Sequence, residues 1–270
     1  MTTTQDSAVL VERRGDALWL ALNRPEAMNG LHPIVLDGLE AGLDEAAADS
    51  SIRCVVITGQ GRAFCAGADL KYAQSLAGLP RPDGEYSASQ LFLRRVEMSF
   101  LRIEKFGKPV IAAVQGIAMG GGLELALCCD LIIAAESARL GDGHAKYGQV
   151  PGGGASVRLP RRVGIALAKR LMFTGELLPA GAYAGTDLIS TVVPDGELTD
   201  EVDRLASVIA SRSPVGLARM KRLVNDGLQV PTEVGLRMEL EQSALHELSD
   251  DWREGIAAFA EKREPNFPGR

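Results

Sequence analysis

The apolar positions change period along the chain, and each change marks an element. VLVERRG and ALWLALNR flank Gly15–Asp16 and read as two strands of a hairpin. Asn23–Arg24–Pro25 ends the second strand. From Pro33 to about Ala48, Leu36, Leu39, Leu43 and Ala47 recur at helical spacing. RCVVITG (53–59) is a short continuous apolar run, the pattern of a strand covered on both faces in a mostly parallel sheet. LPRPDGEYS (79–87) is polar and turn-forming, the composition of a mobile loop. Residues 88–106 predict an amphipathic helix with Phe92, Val96, Phe100, Ile103 and Phe106 on one face, stopped by Lys108–Pro109. VIAAVQGIA (110–118) reads as a buried strand, GGLELALCC (121–129) as a helix and DLIIAA (130–135) as another strand. This alternation predicts an α/β fold with right-handed crossovers. From about Thr199 the pattern is helical. Val202, Leu205, Ala206 and Ile209 mark one helix, Leu217, Met220, Val224 and Leu228 a second, and Trp252, Ile256 and Phe259 a last. No internal repeat is legible.

Composition narrows the class. The 270 residues are 46% hydrophobic and 24% charged with net charge −6, and no Lys/Arg run is long enough for a nucleic-acid groove or an anionic membrane. Cys54, Cys65, Cys128 and Cys129 sit in apolar stretches without a C-x-x-C, which reads as buried thiols in a reducing compartment. Three separated histidines offer no zinc spacing, so no metal is expected. Asp6, Glu12, Arg13, Arg14 and Asp16 interrupt any leader-like apolar core. Val110–Ala135 is long enough to span a bilayer, but it contains Gln115, Glu124 and Asp130 and so reads as buried protein. A cytoplasmic protein without membrane association is expected. Glycine is enriched, at 30 residues, and ten of these fall between Gly116 and Gly154. Without a collagen period, such a cluster means tight turns or close approach of the backbone to another group.

The chemistry sits in that cluster. The chain lacks G-x-S-x-G, H-E-x-x-H and a P-loop, and Gly59-Gln-Gly61 lacks the third glycine of a dinucleotide fingerprint. Two apolar strands, VVIT and VIAAV, lead instead into Phe64-Cys65-Ala66-Gly67-Ala68-Asp69 and Met119-Gly120-Gly121-Gly122-Leu123-Glu124. Small residues there let a ligand reach the main chain, and two N–H groups converging on one oxygen make an oxyanion hole. Glu124 is a carboxylate in an otherwise apolar helix, either functional or paired. Local sequence leaves both readings open, an oxyanion site or two ordinary strand-to-helix turns.

LNRPEAMNGL (22–31), VVITGQGRAFCAGADLK (55–71), KPVIAAVQGIAMGGGLELALCCDLIIAA (108–135), VPGGGASVRLPRRVG (150–164), ELLPAGAYAGTDLISTVVP (176–194) and AAFAEKREPNF (257–267) follow one another in an order that resembles the enoyl-CoA hydratase/isomerase, or crotonase, family. The resemblance implies a spiral of ββα units over residues 1–195 and a helical trimerisation region over 196–270, assembled as a homotrimer or a dimer of trimers. It implies acyl-CoA thioester substrates, with no cofactor beyond the substrate's own coenzyme A. By motif position, the N–H groups of Ala68 and Gly121 would form the oxyanion hole. Ala66, Gly67, Ala68, Asp69, Leu70 and Lys71 would line the substrate site with Gly121. Glu124 matches the first hydratase glutamate, which handles the attacking water.

One departure stands out. Where hydratases read F-G-Q-P-E and then G-x-I-P-G, this chain reads Leu140-Gly141-Asp142-Gly143-His144 and then Gly148-Gln149-Val150-Pro151-Gly152. His144 therefore occupies the place of the second glutamate, which moves the α-carbon proton, and histidine can move a proton near neutral pH. Asp142 reads as a solvated turn residue, with orientation of His144 as the alternative. Lys71 and Lys146 are candidates for coenzyme A phosphates, Lys146 reading equally as a surface lysine. His32 and His246 receive no role. The expected activity is reversible hydration of a trans-2-enoyl-CoA to a 3-hydroxyacyl-CoA, a step of fatty acid metabolism. The alternatives are an isomerase or a C–C hydrolase or lyase of the same family, and a non-catalytic acyl-CoA-binding member.

Overall fold

A computed structural model describes residues 7–79, 81 and 85–270. Of the loop expected at 79–87, residues 80 and 82–84 lie outside the described residues.

The hairpin forms as the alternation predicts: β1 (Val9–Arg14) pairs antiparallel with β2 (Ala17–Leu22) across the two-residue turn Gly15–Asp16. Helix α1 (Pro33–Ala48) buries Leu36, Leu39 and Leu43 and starts at His32, whose Nδ1 accepts the Ile34 N–H. The chain then makes three ββα passes. The first is β3 (Cys54–Gly59), β4 (Ala63–Cys65), α2 (Leu70–Leu76) and α3 (Ala88–Glu104). The second is β5 (Val110–Val114), β6 (Ile117–Met119) and α4 (Gly121–Leu127). The third is β7 (Leu131–Ala135), β8 (Arg139–Gly141), α5 (Ala155–Val163) and α6 (Ile165–Thr174), closed by β9 (Leu178–Pro179) and β10 (Thr191–Val193). The first strand of each pass joins a six-stranded sheet ordered β1-β2-β3-β5-β7-β10, parallel from β2 onward. The second strand joins a four-stranded sheet ordered β4-β6-β8-β9, in which β4, β6 and β8 run parallel.

This corrects two readings. VIAAVQGIA is two strands in two sheets, divided at Gln115–Gly116. Gln115 Nε2 donates to the Ala63 carbonyl at 2.7 Å, and a side chain at Gly116 would begin 2.3 Å from the Arg62 carbonyl oxygen. The glycine lets the chain step from one sheet to the next against the preceding pass. The site turns, in consequence, follow β4 and β6 rather than VVIT and VIAAV.

Both faces of the six-stranded sheet are covered, and Val55, Val56, Ile57, Ile111 and Ile133 are buried. Helix α3 begins with a capping box between Ser87 and Gln90 and ends two residues before the predicted Phe106. All four cysteines are free and buried, and burial pushes the thiols of Cys54, Cys65 and Cys128 up to about 12. No helix among the described residues is long and apolar enough to cross a membrane.

After β10, α7 (Leu198–Ala210) lays Leu198, Val202 and Ala206 into the core. It is followed by α8 (Pro214–Gly227), α9 (Thr232–His246) and α10 (Asp250–Glu261). The Lys221–Asp130 ion pair, 2.8 Å, seats α8 on the spiral. Here the apolar stripes predicted from periodicity do not face this chain's core: Met220, Val224, Leu228, Ile256 and Phe259 are exposed, Phe259 at 86%.

Candidate active site

The four-stranded sheet positions the site. Cys65 pairs with Ala118 and Met119 with Gly141, so β4, β6 and β8 end side by side. The segments leaving their carboxyl ends are Ala66–Asp69, Gly120–Gly122 and Asp142–His144, three neighbours at the strand ends where α/β sheets gather ligands.

The first segment is held from behind. Leu31 donates its N–H to the Gly67 carbonyl at 2.7 Å and accepts the Asp69 N–H at 3.0 Å. Alternation along an extended backbone then turns the Ala68 N–H the opposite way, and it meets no acceptor among the described residues. Asp69 caps α2, accepting the N–H groups of Lys71 and Tyr72 at 3.0 and 3.1 Å, and pairs with Arg24 at 2.8 Å. Burial alone would raise its carboxyl, but these hydrogen bonds and the guanidinium hold it below the ordinary range.

The second segment packs directly on the first. Gly120 has φ +54° and ψ −119°, a conformation that glycine accommodates, and donates to the Gly141 carbonyl at 3.1 Å. A side chain on Gly67 would begin 3.4 Å from the Gly121 nitrogen, and one on Gly122 only 1.8 Å from the Cys65 carbonyl oxygen. The Gly121 N–H opens α4 and also meets no acceptor among the described residues. Two free N–H groups thus stand on two turns in contact.

Glu124 follows one turn into α4 and is 3% exposed. Its Oε1 accepts the N–H groups of Gly153 and Ala155, each at 2.9 Å. The Gly152–Gly154 run permits this approach, since a side chain on Gly153 would begin 2.6 Å from Oε2. Arg158, paired with Glu104 at 2.7 Å, holds the Gly153 carbonyl at 2.9 Å. Backbone and ion pair together fix one carboxylate oxygen and leave Oε2 without a donor among the described residues.

The third segment overturns the solvated-turn reading of Asp142. This residue is 1% exposed, and its Oδ2 lies 3.0 Å from Nδ1 of His144, while Oδ1 accepts the His144 N–H at 3.2 Å. Burial alone would lower the His144 pKa. The hydrogen bond and charge of Asp142, with the charge of Glu124, outweigh it and hold the imidazole above its ordinary value of 6.5.

A cleft of about 530 Å³ opens at these strand ends. It is walled by Ala66, Gly67, Ala68, Asp69, Leu70 and Lys71, by Met119–Gly121 and by Asp142–His144, with Arg24, Met28, Tyr147 and Gln149 among the other lining residues. The structure therefore brings together Ala66–Lys71, Gly121 and His144. Glu124 lies behind this wall, beneath the Gly120 turn. Lys146 points elsewhere, exposed on the surface and packed over Gly175. His32 caps α1 and meets Tyr72 edge-on at 4.6 Å, and His246 ends α9 near Ser249.

Asn29 is the supporting residue that pattern reading missed. Fully buried at φ 55°, it donates to the carbonyls of Gln60 and Ala63 at 3.0 and 2.7 Å and accepts the Arg24 N–H at 2.8 Å. The signal was the Asn29-Gly30 dipeptide, since asparagine tolerates positive φ and closes turns with its side chain.

A profile of the enoyl-CoA hydratase/isomerase family matches residues 13–270. The chain is 38% identical over 264 residues to 2,3-dehydroadipyl-CoA hydratase of Escherichia coli, covering 98% of this chain and 100% of that one. It is 35% identical over 260 residues to crotonyl-CoA hydratase of Syntrophomonas wolfei, covering 96% and 97%. Among solved structures, an enoyl-CoA hydratase from Bacillus anthracis superposes with a TM-score of 0.89 at 35% identity, covering 97% of this chain and 100% of that one.

Proposed function

The chain belongs to the enoyl-CoA hydratase/isomerase family, and from that premise we propose that it is a hydro-lyase adding water reversibly across the double bond of a trans-2-enoyl-CoA. One observation carries the assignment of the site: the unpartnered N–H groups of Ala68 and Gly121 stand on touching turns that wall one cleft. Both would donate to the thioester oxygen as negative charge develops there, the moment at which such donors lower a barrier. This makes C3 electrophilic. Glu124, with Oε1 tied to the backbone, offers Oε2 to deprotonate a water, whose oxygen bonds to C3. His144 supplies the proton to C2, giving the 3-hydroxyacyl-CoA. Lys71, on the cleft wall, is the candidate contact for coenzyme A phosphates. Coenzyme A enters as part of the substrate, and the chemistry needs no further cofactor.

The relatives named for dehydroadipyl-CoA and for crotonyl-CoA share the 2-enoyl thioester and differ in the acyl end. The shared part is what the assigned residues recognise. The exposed apolar faces of α8–α10, within the 196–270 region, support a homotrimer or a dimer of trimers.

Incubating the purified protein with crotonyl-CoA in heavy-oxygen water tests the reaction class. Hydration puts the label in a 3-hydroxyl. Label in a new carboxylate would replace the reading with C–C hydrolysis, and a shifted double bond without label would replace it with isomerisation.

A further inference from the structure

Asp142 and His144 form a closed unit at the end of β8. Asp142 is almost fully buried, and both of its oxygens are occupied by one residue, Oδ1 by the His144 N–H and Oδ2 by its Nδ1. A buried carboxylate is costly unless a donor answers it, and a carboxylate only accepts. The hydrogen between them therefore belongs to Nδ1. The other edge of the ring lies against the cleft wall: Cε1 and Nε2 are each 3.6 Å from the point where a side chain on Gly120 would begin. Nε2 thus borders the residue that precedes the Gly121 N–H.

We propose that Asp142 is a positioning residue, which takes the Nδ1 hydrogen of His144 and so turns Nε2, as an N–H donor, toward C2 of the bound thioester. The reaction it serves rests on the hydration reading, whereas the Asp142–His144 geometry does not. In the step, a water proton passes to Glu124, the water oxygen bonds to C3, and the π electrons of C2=C3 take the proton from Nε2 onto C2. The sum is one water added, with Glu124 left protonated and His144 neutral. A proton passed from Glu124 to His144 through solvent restores the start. A site with two carboxylates must keep one protonated beside its like-charged partner. An imidazolium within the field of Glu124 is instead held by attraction.

The charged groups around His144 fit this assignment. Asp142 precedes it and the charge of Glu124 reaches it from α4, both raising its proton affinity against the effect of burial. Lys71 stands on the wall of the same cleft, and Lys146 is exposed on the same turn. On α6, packed against that turn, Lys169 and Arg170 are exposed, and Arg170 is paired with Glu176.

The test combines the pH profile of kcat/KM for crotonyl-CoA hydration with titration of the His144 ring nitrogens by NMR. Protonated His144 is the active form for hydration, so activity falls as pH rises through its pKa. In Asp142→Asn one side-chain oxygen remains to accept the Nδ1 hydrogen, the His144 N–H loses its acceptor, and the charge is gone. Both the high-pH limb and the NMR titration should then move down by about one to three pH units, the usual effect of an adjacent opposite charge. An unmoved titration in this variant overturns the proposal whether or not the protein hydrates anything. Should Asp142→Asn fail to fold, the wild type decides alone: Nδ1 without a hydrogen in the neutral ring, or titration below 6.5, overturns the proposal. A wild type that shows the shifted titration but hydrates no enoyl-CoA would contradict the hydration reading and leave the pair standing.

Discussion

Asn29 and His144 show two ways in which a single residue commits the backbone around it. Asn29, fully buried, closes the 24–30 turn against the Gln60 and Ala63 carbonyls. Asn29→Ala strands those groups, and the unpaired buried polar atoms should cost about 3 kcal/mol of stability. Urea unfolding measures this, and a loss under about 1 kcal/mol would contradict the assigned role. His144 works through charge. Its folded pKa is raised, so its contribution to stability is fully present below the unfolded value of 6.5 and is lost as pH climbs through the raised folded value. Removing the ring should flatten the pH dependence of stability in that window. At this scale the sequence was legible in part. Ala68, Gly121 and Lys71 were placed by motif position, and the structure sets them on one cleft. The solvated-turn reading of Asp142 fails because one aspartate between two glycines has the composition of such a turn wherever the strand before it leads. Only the third ββα pass reveals that β8 delivers it to the interior.

The elements divide along the same line. The hairpin, α1 and β3 follow from local pattern because each buries one face, or both, against its sequence neighbours. The four-stranded sheet does not. β4, β6 and β8 are three residues each and pair with one another across passes separated by about 50 and 20 residues, with the two-residue β9 at the β8 edge, so no local period announces them. The glycines carry that information instead. Gly122 lies where a side chain would begin 1.8 Å from the Cys65 carbonyl oxygen, and backbone there has nowhere to move. Gly122→Ala should therefore cost about 2 kcal/mol or more, because α4 must lift from β4. Thermal unfolding of the variant near the wild-type midpoint would show that the two turns are not in contact.

At the scale of the whole molecule, the C-terminal helices leave apolar residues exposed. Apolar periodicity marks α7, α8 and α10 and passes over α9, and Met220, Leu228, Leu240 and Phe259 along these helices are exposed. Periodicity reports that a face is covered and not by which chain. Light scattering coupled to size exclusion should return a mass of three or six chains, and Phe259→Asp with Leu228→Asp should shift it toward one. A monomeric wild type would leave those faces unexplained. The position of Glu124 depends on α4, on the 153–155 loop and on the Arg158–Glu104 pair at once. Glu124→Gln keeps an oxygen to accept the Gly153 and Ala155 N–H groups and removes only the basic carboxylate. Turnover of crotonyl-CoA by this variant, followed as formation of the 3-hydroxyacyl product beside the wild type, is the most direct test. Turnover should fall by about 100- to 10,000-fold in a protein that remains folded, and undiminished turnover would contradict the role of Glu124 as the base.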